Sequence, residues 1–263
     1  MENLALSDPA RRNPAEPVPS AAADGPSGQR AAPPLPRHPK SPAAVTRHIR
    51  QLHQAATADD HDSCGDAAMR MQKAGVDAVT IAENLVPAAA RLIGIDWVED
   101  RMSFADVTIA CARLQGLLRH LDLDWRAGVL TRADAPSILL AVARNAQHTL
   151  GAMVLLDRLR RAGFSVRLLL GAGPGELQMA LRQTPVQAVM LSASLGDSVP
   201  MLRRLVETVR KTSGARVPVV IGGTLLDAEP ALAARTGADV VTSDLDAALE
   251  RCGLTAQPVA QVG

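Results

Sequence analysis

The stretch SILLAVARNAQHTLGAMVLLDRLRRAG, residues 137–163, changes character halfway along. Ser137 to Ala143 is a short apolar run behind Pro136, the pattern of a strand buried on both faces. Leu150 to Ala162 then reads as a helix. Downstream the same alternation repeats. Strands are expected at Ser165–Leu170, Val186–Leu191, Val217–Ile221 and Asp239–Thr242, with helices over 174–183, 198–213, 227–236 and 244–252. Five strand–helix units between residues 136 and 254 imply an α/β fold with an open parallel sheet and helices on both faces. Ligands on such sheets bind outside the carboxyl ends of the strands. The candidate site therefore lies in residues 143–151, 171–175, 192–198, 222–224 and 243–244.

Upstream, residues 43–126 read as helical. Four segments are expected, over 42–57, 61–74, 76–94 and 103–121. Ser41-Pro42 has the form of a cap followed by proline at the first helical position, and Asp62 or Ser63 caps the second segment. Gly75 and Gly94 stand where helices end. Val79, Ala82, Leu85, Val86, Ala89 and Ile93 recur at helical spacing, and so do Phe104, Val107, Cys111, Leu114, Leu117, Leu118 and Leu121. Pro87, inside the third segment, predicts a kink. Four amphipathic helices with short links suggest an antiparallel bundle. Residues 1–42 hold ten of the eighteen prolines. No apolar period survives that spacing, so a disordered or polyproline-like tail is expected, either solubilising or partner-binding.

Composition excludes several classes. The formal net charge is +1, so nothing overall favours nucleic acid or an anionic membrane. Three widely spaced cysteines, Cys64, Cys111 and Cys252, form neither a disulfide framework nor a zinc finger and suggest a reducing, cytoplasmic setting. No long apolar run or secretory leader is read, and no membrane association is expected. With two Trp, two Phe and no Tyr, there is no stacking surface for single strands.

Each strand end has a chemical reading and a plain one. His148 follows the first strand, where neutral imidazole can ligate a metal or simply cap and face solvent. Gly151 allows close approach of backbone or ligand. Ser192 and Ser194 after the third strand can hydrogen-bond a ligand or cap the next helix. Gly222-Gly223 after the fourth leave room for a flat ligand or make a tight turn. Gly171-Ala172-Gly173-Pro174-Gly175 misses the dinucleotide spacing and follows the wrong strand. Asp197 and Asp244 read as helix caps. His48, His53 and His61 read as solvated, with an upper axial ligand as the alternative, and Arg113 and Arg119 read as solvent-facing charges. No catalytic triad or carboxylate pair gathers at the strand ends, so no catalytic residue is assigned.

Taken in order, His148-x-x-Gly151, Ser192-x-Ser194-Leu195 and Gly222-Gly223 resemble the cobalamin (B12)-binding domain family. There a His-x-x-Gly, a Ser-x-Leu and a Gly-Gly motif follow the first, third and fourth strands of a Rossmann-like, flavodoxin-like doubly wound sheet. The helical segment is similar to the four-helix cap that precedes this domain. Gly94-Ile95-Asp96-Trp97 resembles the Gly-x-x-Trp end of its third helix. The resemblance implies cobalamin as cofactor, with haem as the alternative. It implies His148 as the cobalt ligand, a side arm of the cofactor passing Gly151, Ser192 or Ser194 and Gly222-Gly223, and Trp97 on the upper face of the ring.

Two positions depart from the pattern. The family's acid two residues before the histidine is Ala146, which removes the carboxylate that orients a ligating imidazole. Val107-Thr108 stand where adenosyl-binding light sensors carry Glu-His. The whole is most similar to AerR/PpaA-type tetrapyrrole-binding regulators. That implies a light- or redox-responsive protein acting on a transcriptional repressor partner in photosynthesis-type gene regulation, with no enzymatic activity and no direct DNA contact. The alternative is a corrinoid methyl carrier of a methyltransferase system.

Overall fold

In the computed structural model, residues 41–60, 63–121, 134–144, 149–213 and 216–256 are described. The expected tail, and the loop residues Asn145 to His148, lie outside them.

Helix α1 (Pro42–Thr57) begins as the sequence predicts: the Ser41 hydroxyl accepts from the Ala44 N–H at 3.2 Å, with proline in the first turn. Helix α2 (Ser63–Lys73) ends before Gly75, whose φ of +89° suits the reversal. Helix α3 runs over Ala78–Val98. It passes Gly94, where a helix end was expected. Gly94 keeps an ordinary φ, and the left-handed residue that follows the helix is Asp100. Pro87 produces a π turn at Ile81–Leu85 where a kink was expected. The ring at Pro87 cannot donate to the Glu83 carbonyl and would crowd it in a regular helix, and the wider turn relieves both. Helix α4 (Phe104–His120) opens with a reciprocal capping box between Ser103 and Asp106.

Together α1 to α4 bury an aliphatic core that includes Leu52, Met71, Ile81, Leu85, Ile93, Leu114 and Leu118. Helix α3 is long and apolar enough to cross a membrane by length and composition. Its stripe of Ala82, Leu85, Val86, Ala89 and Ile93 is buried in this core.

The second half is a five-stranded parallel sheet in the order β2-β1-β3-β4-β5. The strands are β1 (Ser137–Ala143), β2 (Ser165–Ala172), β3 (Ala188–Ser192), β4 (Val219–Gly222) and β5 (Val240–Val241). Helices α5 (Leu150–Arg161), α6 (Pro174–Gln183), α7 (Val199–Ser213), α8 (Leu225–Ala228), α9 (Leu232–Thr236) and α10 (Leu245–Arg251) connect and complete it. The single helix expected over 227–236 is two short ones. Pro230 separates them by forcing Glu229 out of the helical region.

Side chains alternate across the sheet. Ile138, Leu140, Val142, Met190, Val220 and Val240 pack with α5 and α10. Leu139, Ala141, Val189, Leu191, Val219 and Ile221 pack with α6, α7 and α9. The helices after β1 and β3 therefore leave to opposite faces, which makes the ends of those two strands the topological switch point of the sheet.

Candidate functional site

Ser192 and Gly222, expected beyond their strands, are the last residues of β3 and β4. Register places Val142, Ser192 and Gly222 side by side across β1, β3 and β4. Two residues on from Met190 and Val220, Ser192 and Gly222 belong to the sheet face that carries α5. The first turn of α5 holds Gly151. A side chain added there would meet nothing within 4 Å among the described residues. Ser192 is half-buried, and its hydroxyl makes no hydrogen bond to another described residue.

The glycine pair has a structural cause of its own. A Cβ on Gly223, at φ +118°, would stand 2.1 Å from the Ala193 carbonyl oxygen, and one on Gly222 would stand 2.9 Å from the Thr242 oxygen. The pair is thus required by close backbone approach between neighbouring strand ends. Above it the Leu195 N–H donates to the Thr224 hydroxyl at 3.3 Å, and the Ser194 N–H donates to the Asp197 carboxylate at 2.7 Å. Asp197 closes that loop, while Asp244 caps α10 as expected. At the end of β1, Arg144 is paired with Glu176. The backbone N–H of Glu176 and the Arg144 guanidinium hold this carboxyl below the usual range.

His148 and Ala146 lie outside the described residues, and so does His61. Among the described residues no three His, Cys, Asp or Glu side chains gather as a metal site. Burial pushes the thiols of Cys64, Cys111 and Cys252 up. They are therefore not thiolate nucleophiles at neutral pH.

In the cap, Trp97 lies one turn past Ile93 on the same stripe of α3. Ile93 is fully buried, whereas Trp97 is 46% exposed. The indole thus continues the inward-facing stripe beyond the point where the cap core covers it. Two residues expected to face solvent, His53 and Arg113, are engaged in the cap. The ring Nε2 of His53, on α1, lies 2.6 Å from the Asp96 carboxylate, which Arg101 also binds. The Arg101 guanidinium, with His53 behind it, holds the Asp96 carboxyl below its usual range. Arg113 turns inward to the carbonyls of Ala56, Ala58 and Asp59 at the end of α1. His48 bonds to Gln51, and the His120 Nδ1 to the Gly116 carbonyl. These partners are 43 and 57 residues apart for His53 and Arg113, beyond what helical spacing reveals.

This is a parallel sheet with its switch point between β1 and β3 and a helical cap packed on α5. The profile of the B12 binding domain matches residues 136–252. A Rhodobacter capsulatus protein, described as an uncharacterized 20.5 kDa protein in the bchF-crtJ intergenic region, is 37% identical over 174 residues. The match spans 66% of this chain and 91% of that one. The chain belongs to the B12-binding domain family, whose cofactor is cobalamin. The Methanosarcina barkeri monomethylamine corrinoid protein shares the fold, at TM-score 0.59 and 14% identity over 79% of this chain and 96% of that one. A cobalamin-binding protein from Desulfitobacterium hafniense aligns at TM-score 0.41 and 18% identity over 78% and 97%.

Proposed function

We propose that the protein is a cobalamin-binding regulator whose response to light or oxidation passes to a transcriptional repressor in photosynthesis-type gene control. The single observation that carries the binding reading is the family match over the whole sheet half. The geometry suits it: a half-buried hydroxyl at Ser192, no described neighbour within 4 Å of a side chain built at Gly151, and a half-exposed indole at Trp97 one turn past buried Ile93. The AerR/PpaA-type resemblance supports the regulatory part, and so does the place of the Rhodobacter relative in the bchF-crtJ intergenic region.

In this reading the tail covers residues 1–42, the cap 43–126 and the cofactor domain 136–254. Bound cobalamin would supply a cobalt whose ligation responds to illumination or oxidation. His148 would be its protein ligand, with Gly151, Ser192, Ser194, Gly222 and Gly223 contacting the cofactor from the sheet domain and Trp97 from the cap. The chain itself carries out no catalysis and works in the cytoplasm, in keeping with its three free cysteines. The bound group would bias the cap between two positions, and the repressor would read the difference. The second reading, a corrinoid methyl carrier, has the fold of the Methanosarcina protein behind it.

The test is spectroscopic. Hydroxocobalamin or haemin is added, the protein is desalted, and spectra are recorded in the dark and after light, with His148→Ala alongside. The expected result is a retained corrin spectrum whose bands shift in the variant and change with light. Retention of haem alone, or of neither pigment, overturns the cobalamin reading. A light-insensitive methylcobalamin form that gives its methyl group to a thiol with a partner enzyme selects the carrier.

A further inference from the structure

Helix α5 starts two residues after His148 and is shared by two cores. Leu150, Met153 and Val154 pack into the cap cluster, while Ala152, Leu155, Leu156 and Leu159 pack against the sheet. Polar side chains from the cap bind near both of its ends. At the start, the Gln115 side-chain amide on α4 donates to the hydroxyl of Thr149, the residue that follows His148, at 3.0 Å. In the last turn, Arg161 donates to Glu83 on α3: Nε to Oε1 at 3.0 Å, Nη2 to Oε1 at 2.7 Å and to Oε2 at 2.8 Å. Arg158 adds an ion pair at 3.5 Å.

The Glu83 side chain is only 14% exposed, while the arginines it binds are half-buried, at 36% and 42%. It stands in the π turn that Pro87 imposes on α3, a local distortion of the kind often found at functional positions. Helix α3 is also the helix that carries Trp97. A two-pronged guanidinium–carboxylate contact fixes orientation as well as distance.

We infer that Glu83 and Gln115 are positioning residues for the cofactor site: they set α5, and with it Thr149 and Gly151, against the cap that carries Trp97. The inference rests on the cobalamin reading and assigns the spacing between the upper and lower sides of that site to two contacts. A cap displaced from the sheet must break the Glu83–Arg161 contact or carry α5 with it. In the second case it moves the residue next to His148.

The experiment uses the full chain loaded with hydroxocobalamin and compares wild type with Glu83→Gln, Gln115→Leu and the exchange Glu83→Arg with Arg161→Glu. Glu83→Gln is expected to raise the cobalamin dissociation rate about tenfold. It should also move the visible bands toward those of His148→Ala, and Gln115→Leu should do so more weakly. The charge exchange should recover most of the wild-type dissociation rate and bands. Hydrogen exchange on the apo protein should rise together in α3 and α5 of Glu83→Gln. If wild type retains no cobalamin, the cobalamin reading falls and takes this inference with it. If wild type binds and Glu83→Gln keeps its rate and bands, the inference alone is overturned. A Glu83→Gln protein that melts earlier but holds an unshifted spectrum gives Glu83 a purely structural role and also overturns it.

Discussion

At the strand ends the main chain does the holding. Gly223 is pressed against the Ala193 carbonyl, Ser192 and Gly222 are fixed by ladder register, and the loops above are tied by N–H donors of Ser194 and Leu195. In the cap, side chains do it. His53 and Arg101 grip Asp96 beside Trp97, Arg113 gathers the carbonyls at the end of α1, and Glu83 reaches across to α5. A backbone-built site has few alternative arrangements, because its N–H and C=O groups are tied into the sheet ladder and the short loops above it. A site hung on ion pairs can be released one contact at a time. Under the proposed function, the difference suits a fixed sheet edge and a movable cap.

Substitutions break the comparison in a definite order. Gly223→Ala has the largest expected effect on folding. It forces a Cβ into a carbonyl and a side-chain residue into a positive φ. A loss of about 3 kcal/mol in urea unfolding is expected, from backbone strain and overpacking together. Stability within error of wild type would show that the strand ends are not held by their backbone.

Asp96→Asn is expected to cost less, about 1 kcal/mol at pH 7, because its partner Arg101 is 53% exposed and solvent screens the pair. The effect should depend on pH with a definite sign. The Asp96 carboxyl is held below its usual value in the folded protein. The stabilisation is therefore complete above the unfolded-state value, about 3.9, and is lost as pH falls through the lower folded-state value. Urea midpoints of wild type and variant should converge on acidification. A gap that persists at the lowest pH would assign the effect to packing.

Gly151→Ala should change stability least, within about 0.5 kcal/mol, since it meets no neighbour among the described residues and alanine favours the helix. Its effect should appear in cobalamin retention instead. Equal retention by this variant would remove Gly151 from the cofactor surface.

How much of this could be read in the sequence follows from the same contrast. The apolar run of β1, the Ser41-Pro42 cap and the reversal at Gly75 are local, each written within a few residues, and the structure has all three. Ser192 and Gly222 could be placed near strand ends for the same reason. The ends of β3 and β4 differed by a residue because ladder pairing, not composition, sets where a parallel strand stops. The continuation of α3 past Gly94 and the break at Pro230 show both sides of the matter. Glycine in a helix is tolerated when its flanks are packed, whereas proline removes a donor whatever surrounds it.

The sequence by itself therefore determined the order of elements, the parallel sheet and the residues at its carboxyl edge, because strand and helix periods and turn chemistry are short-range properties of the chain. Only the tertiary structure decided that His53 and Arg113 are bound rather than solvated, that the glycine pair serves the backbone, and that α5 is shared by cap and sheet. Those outcomes depend on groups as far as 78 residues apart meeting in space. Whether a charged side chain faces water or a partner is settled by what packs against it, which no local pattern records.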